Sequence, residues 1–416
     1  MWPFDKFRKQ VDKVSSNNTE GLTNMFYNYR TELAYNLYNI DYKGLNNLKI
    51  PRAIVNTIVT SASQEFDFDI KTNSKDIKQI EKYLKSNLKM AESHLCVGGR
   101  LAFKPYISDG HIGVSIYGGR DFIAFYDQFG LLEKVYFKSD IRESDTLSYT
   151  LVEIHTYNRK DRTYKIEYQL YSGVNSDWNR KIGTMSAQLG TRVPLSKCEK
   201  TQDLDDFVLL EDIDEHLCSV INLDNSMTYT TGRSIYDSSI ELIKDAEKIY
   251  DSLLWEYEGG ELAIDAPADL FKTPGSYNGY TLPANKERLY RRLEGADSDF
   301  GIKVFAPTLR DENYIRGLNE ILHRIEVNCG LYGGALSNVA HDYTDKTATE
   351  VISSKQRFYV TVMDIKQRMK NGIEKIINSC ALLNNRLVPE LLKDNVTVNF
   401  EIGDSVLELD IREINI

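Results

Sequence analysis

The chain has 416 residues, enough for two or three domains and a sizeable core, and its 42% hydrophobic and 27% charged content excludes a disordered protein. A formal net charge of −10 excludes a protein that grips nucleic acid with its whole surface, though not one that guides it without adhering. No apolar run approaches the roughly 20 residues that span a bilayer, and the first residues, MWPFDKFRKQ, turn charged within five positions, so no membrane association, signal peptide or export is expected.

In chain order, the first 95 residues read as helical, apart from a brief alternation in SASQEFDFDIKTNS, and Asp76 to Leu95 is amphipathic. From Val97 to Gly173 the period changes to two. Short strands are separated by Asp109-Gly110, Gly118-Gly119, Phe129-Gly130 and the turn NRKDRT, the chemistry of hairpins. Strands clustered in this way, with helices around them, predict an α+β fold with an antiparallel sheet. Residues 174–230 are less legible. They carry an acidic run with Asp203, Asp205, Asp206, Glu211, Asp212, Asp214 and Glu215, which lacks the glycine turn and fixed spacing of a calcium loop and reads as a solvated surface.

At Gly232 the pattern becomes helical again. A helix from about Ser234 to Glu258 is closed by Gly259-Gly260, and six acids (Glu241, Asp245, Glu247, Asp251, Glu256, Glu258) against Lys244 and Lys248 predict a strongly negative polar face. Residues 261–307 hold four of the nine prolines and read as a turn-rich insertion, with a short helix near NKERLYRRLEG and a strand at IKVFAP. A helix follows, capped by Thr308 or Asp311, with Leu318, Ile321, Leu322 and Ile325 on its apolar side. The segment LYGGALSNVA then reads as a conformationally loose loop. It runs into a helix firmly started by Thr347 and Glu350, which fit a capping box. Val351, Lys355, Phe358, Val362, Ile365, Met369, Ile373 and Ile376 form one stripe along it.

Recognisable catalytic chemistry is sparse. GxxxxGK[ST], GxGxxG, HExxH and GxSxG motifs are all missing, and the five cysteines (Cys96, Cys198, Cys218, Cys329, Cys380) share no CxxC spacing, so they read as reduced buried thiols. The pair His341-Asp342 has no second ligand cluster nearby, so no metal and no cofactor is expected. A cytosolic α+β metal-dependent hydrolase, built on the acidic run or on His341-Asp342, is the rival to a non-enzymatic reading. Lys286, Arg288, Arg291 and Arg292 form a basic group suited to phosphate, an acidic partner or surface salt bridges. The 26 tyrosines suit wet subunit interfaces.

The string from Gly232 and Ser234 into the first acidic helix, the insertion, and then Lys346 to Val351 with Ser353 or Ser354, resembles the portal proteins of tailed bacteriophages, of the long-tailed type from Gram-positive hosts. Gly98, Gly99, Lys104, Pro105 and Tyr106 resemble the start of that family's β region. The resemblance covers roughly residues 30 to 400. It implies a non-enzymatic, dodecameric ring at one capsid vertex, the conduit for packaging and ejecting double-stranded DNA, bound without sequence preference.

Its partners would be further copies of itself, the terminase large subunit, the major capsid and scaffolding proteins and a head–tail adaptor. It would reside in the virion, and in the host cytoplasm during assembly. The implied parts are a wing (1–235), a first stem helix (236–258), a clip (259–308), a second stem helix (309–329), a tunnel loop (330–346), a long wing helix (347–377) and a C-terminal segment (378–416) with the crown absent or reduced. Glu241, Asp245 and Lys248 would line the channel. Gly333, Gly334, Ser337, Asn338 and His341 would face DNA, and Lys286, Arg288, Arg291 and Arg292 would meet the motor or adaptor.

Overall fold

A computed structural model describes residues 28–39, 48–143, 147–174, 190–223, 232–267, 290–293, 303–338, 348–387 and 395–403. Two helices, α1 (Tyr29–Asn39) and α2 (Ile50–Ser63), precede strand β1 (Phe66–Lys71) and helices α3 (Lys75–Ser86) and α4 (Leu88–Gly98). The alternation noted in SASQEFDFDIKTNS is β1, whose residues are buried and exposed in turn. Its partner is β14 (Thr397–Ile402), joined antiparallel with Phe68 opposite Phe400, more than 300 residues away.

The predicted β region exists but divides between two sheets. Strands β2 (Arg100–Ser108) and β3 (His111–Gly118) form a hairpin through Asp109-Gly110 and join β10 (Ser219–Asn222) in the order β10-β2-β3. Strands β4 (Phe122–Tyr126), β5 (Leu132–Arg142), β6 (Leu147–Asn158) and β7 (Thr163–Val174) form an antiparallel meander, extended by β8 (Thr191–Val193) and β9 (Phe207–Leu210), which both pair with β7. Gly118-Gly119 is therefore not the hairpin turn the sequence suggests. It is the point where the chain leaves one sheet for the other.

That crossing is crowded. A Cβ on Gly232 would lie 2.6 Å from the Gly98 carbonyl oxygen, and one on Gly99, which has φ +71°, would lie 2.1 Å from the backbone of Arg233. Arg100 is buried there, and its guanidinium donates to the carbonyls of Gly119 and Phe122. Ser234 donates to the Cys96 carbonyl and Ile235 N–H bonds the same oxygen. Gly98, Gly99 and Gly232 are thus a backbone junction: side chains are excluded there because two chain segments meet.

The described helix α7 (Ala348–Leu387) is 40 residues long, ten beyond the expected end at 377, and Thr347 lies outside the described residues. Phe358, Val362, Ile365, Met369, Ile373 and Ile376 are buried as the stripe predicts, and Ile377, Cys380 and Leu383 carry it further. This face packs on α2, β2, β10 and β14, which makes α7 the spine of the main core.

The remaining elements are α5 (Ile240–Gly259), β11 (Ala263–Pro267), β12 (Tyr290–Leu293), β13 (Lys303–Phe305) and α6 (Asp311–Asn328). Helix α5 starts later than expected, after a 3-10 turn at Asp237–Ser239, because Tyr236 is buried with its hydroxyl donated to the Ala34 carbonyl. Within the expected short helix near NKERLYRRLEG, Tyr290–Leu293 is instead strand β12, parallel to β11, while the strand at IKVFAP is found as β13, antiparallel to β11. Helix propensity over a few residues is worth only tenths of a kcal/mol each, and a ladder with β11 outweighs it.

If the junction is set by steric exclusion, Gly99→Ala should cost more than about 4 kcal/mol in denaturant unfolding. Gly110→Ala, also at positive φ but with nothing within 4 Å of a Cβ, should cost only about 1 kcal/mol. Equal losses would refute the steric account.

Candidate functional site

Helices α5 and α6 pack side by side and carry the small sheet β12-β11-β13 between them in sequence. Glu241, Asp245 and Lys248 are all exposed on α5, with Lys248 paired to Asp245 and Lys244 to Glu241. The polar face is less negative than the composition implies, because two of the six acids turn inward. Glu247 is buried and accepts the Leu48 N–H. Glu256 accepts Arg310 through its backbone N–H, Nε and Nη2. That contact also corrects the expected cap of α6: the N-cap residue is Arg310, without a side-chain cap of its own, and its N–H is satisfied by Glu256 of the neighbouring helix. The hydrogen bond from Arg310 holds the Glu256 carboxyl below the usual carboxylate range.

The far end of this helix pair is strongly apolar for a surface. Leu254, Trp255, Tyr257 and Leu262 near the end of α5, Val304 and Phe305 on β13, and Leu309 and Ile315 at the start of α6 are all exposed, Trp255 at 67% and Val304 at 65%. The backbone of β12 sets Arg291 opposite Asp265 and Arg292 opposite Ala266. Lys286 and Arg288 lie outside the described residues.

The glycine segment after α6 is ordered at its start. Gly330, placed by the resemblance at the start of the tunnel loop, is the left-handed cap of α6 (φ +70°): Leu331 N–H bonds the Glu326 carbonyl and Gly330 N–H bonds that of Val327. The Glu326 side chain, 0% exposed, then gathers the loop. It accepts the N–H groups of Gly334 (3.2 Å), Leu336 (2.6 Å) and Ser337 (2.7 Å), and the Ser337 hydroxyl at 3.0 Å. His323 Nδ1 lies 3.2 Å from the same carboxylate.

Ser337, expected to face outward, is buried in this clamp, whereas Gly334 and Asn338 are exposed and Gly333 is half-buried. Asn338 N–H is held by the Asn319 side chain. His341 and Asp342 lie outside the described residues. Glu326 escaped the sequence reading because a glutamate beside an apolar stripe usually points to water. The one usable signal was its place next to Ile325, just before a glycine cap.

A second polar cluster, also missed, lies where the two main sheets meet. Lys104 Nζ bonds Glu153 Oε1 at 2.6 Å over the rings of Tyr117 and Phe137. Glu153 Oε2 lies 3.6 Å from His155 Nε2, His155 Nδ1 lies 3.0 Å from the Tyr164 hydroxyl, and that hydroxyl lies 3.4 Å from Cys218 Sγ. Cys218 N–H bonds His216 Nδ1. Burial opposes every charge here. It is outweighed at Glu153 by the neighbouring His155 imidazole and then by Lys104, which bring its carboxyl down to about 2. At His155 it is outweighed by Cys218 and then Glu153, which raise the imidazole to about 8. The two imidazoles likewise hold the Cys218 thiol below its ordinary value.

A thiol, an imidazole and a carboxylate in series are the parts of a nucleophile, but Cys218 and His155 are sealed inside the protein, so the cluster works as an alternating-charge bolt between sheets. The seven carboxylates of the acidic run are exposed, and among the described residues no group of three or more His, Cys, Asp or Glu is placed to hold a metal ion.

The molecule is therefore an α+β protein with a helix-and-sheet body, a helix pair with an apolar end, and an anchored glycine loop. The model of the phage portal protein family, SPP1 Gp6-like, matches residues 29–404, and the chain belongs to that family. No curated protein matches the sequence. As a family, portal proteins are structural parts of the phage particle that serve genome packaging.

The pH dependence of the bolt has a definite sign. A carboxyl lowered on folding contributes stability above its unfolded value, about 4.5, and loses it as pH falls toward about 2. Glu153→Gln should be less stable than wild type at neutral pH, and the gap should close as pH drops across that window. A gap that stays constant in denaturant titrations would remove Glu153 from the bolt.

Proposed function

We propose that the chain assembles into a dodecameric ring at one vertex of the capsid, through which double-stranded DNA is packaged and later released. The observation that carries this reading is the family match over residues 29–404. In this reading α5 and α6 are the stem helices and the small sheet between them belongs to the clip. The segment 330–346 is the tunnel loop, α7 is the long wing helix, and the body built on β1 to β10 is the wing. The protein hydrolyses no nucleotide, and a terminase docked on the ring supplies the work.

Two features support self-assembly and passage of DNA. Trp255, Val304, Phe305 and their apolar neighbours at the end of the helix pair suit burial against adjacent copies, since exposed apolar clusters of this kind mark interaction surfaces. Glu241, Asp245, Asp251 and Glu258 are exposed along α5, and an acidic channel wall repels phosphate and keeps moving DNA from adhering. Arg291 and Arg292 are then contacts for the motor or the adaptor.

The purified protein should form rings of about twelve copies with a central hole, by native mass determination and negative-stain imaging. A stable monomer, or ATP hydrolysis by the chain alone, would count against the reading. Trp255→Asp combined with Val304→Asp should shift the mass toward monomer while the protein stays folded. Removal of residues 339–344 should leave ring mass unchanged and abolish DNA packaging, whereas a cut reaching Ser337 would strand the Glu326 carboxylate. Arg291→Glu with Arg292→Glu should weaken capture of motor or adaptor by intact rings, and undiminished capture would exclude those two arginines.

A further inference from the structure

We propose that Glu326 is the positioning residue of the channel loop, fixing the loop's base to α6 so that force on the loop passes into the helix; this rests on reading 330–346 as the loop that meets DNA. The site is an unusual place for a carboxylate. Glu326 sits in the last turn of α6, where the helix's own partial negative charge opposes it, and it is wholly buried. Such a group persists only if donors surround it. Besides His323 Nδ1 on α6 itself, 3.2 Å away, the donors come from one short stretch of loop: three backbone N–H groups and one hydroxyl, from Gly334, Leu336 and Ser337. Gly334 adopts φ +91°, a left-handed conformation that helps aim this stretch inward.

The clamp is braced on two further sides. Asn319, seven residues back along α6 and so about 10 Å away on the helix, holds Asn338 N–H. The Tyr332 ring meets Phe358 of α7 edge to face, with centroids 5.3 Å apart. The chain therefore leaves Asn338 from a fixed point set by both helices. Apolar packing alone would not achieve this, because dispersion contacts have no direction, whereas a carboxylate with four charge-assisted donors fixes the orientation of each peptide it holds.

The test compares wild type, Glu326→Ala, Glu326→Gln and Ser337→Ala in three measurements: ring mass, hydrogen exchange of the Gly334, Leu336 and Ser337 amides, and protection of linear duplex DNA from nuclease in a motor-driven packaging reaction. Glu326→Ala rings of normal mass should exchange those amides about tenfold faster or more and package several-fold more slowly. Glu326→Gln, which keeps one acceptor oxygen, and Ser337→Ala, which removes one donor, should fall between that variant and wild type in both readouts.

Faster exchange with unchanged packaging in all three variants would overturn the proposal, and so would loss of rings in Glu326→Ala alongside wild-type packaging by Glu326→Gln and Ser337→Ala, which would make the residue merely structural. Wild-type rings that move no DNA would instead overturn the portal reading, and the proposal with it, whatever the exchange data show.

Discussion

The close approach of two backbones at Gly98-Gly99 and Gly232-Arg233 is the constraint on which the rest of the molecule depends. It brings the end of α4, the start of β2, the crossing from β3 to β4 and the entry to α5 into one small volume, with Arg100 filling the centre. Any side chain at these glycines would push the body away from the helix pair. Ser234 and Ile235 add hydrogen bonds to a single carbonyl, that of Cys96, so the direction in which α5 departs is set by backbone contacts. This junction therefore sets the angle between α5 and the body.

Charged groups inside the protein serve the same end. The Lys104–Glu153–His155 series joins β2 to β6, Glu326 joins α6 to its loop, and Glu256 joins α5 to α6 through Arg310. Buried ion pairs are weak contributors to net stability, because desolvation offsets their attraction. Their value here is directional: each tolerates one arrangement of its partners, while the apolar stripe of α7 could accept small shifts.

The site was legible where chemistry is local in sequence. The acidic helix and the stripe from Phe358 to Ile376 could be read directly, and the portal-like string placed them in order. What failed were inferences of freedom from composition. Gly330 ends a helix, Ser337 is buried, and two acids counted toward the negative polar face of α5 are internal ligands for Leu48 and Arg310. A glycine permits both a loose loop and a tight turn, and only its neighbours choose between them.

By itself the sequence determined the α+β class, the long α7, the hairpins at Asp109-Gly110 and NRKDRT, and the family, because turn residues, hydrophobic periods and short family-like strings act over a few positions. Tertiary structure alone decided that β1 pairs with β14, that the strands split into two sheets at Gly118-Gly119, that Tyr290–Leu293 is a strand, and that Glu326 holds the loop. Each of those outcomes turns on a donor, an acceptor or a steric neighbour contributed by a segment the local sequence does not contain, and its energy exists only once the chain has brought the two together.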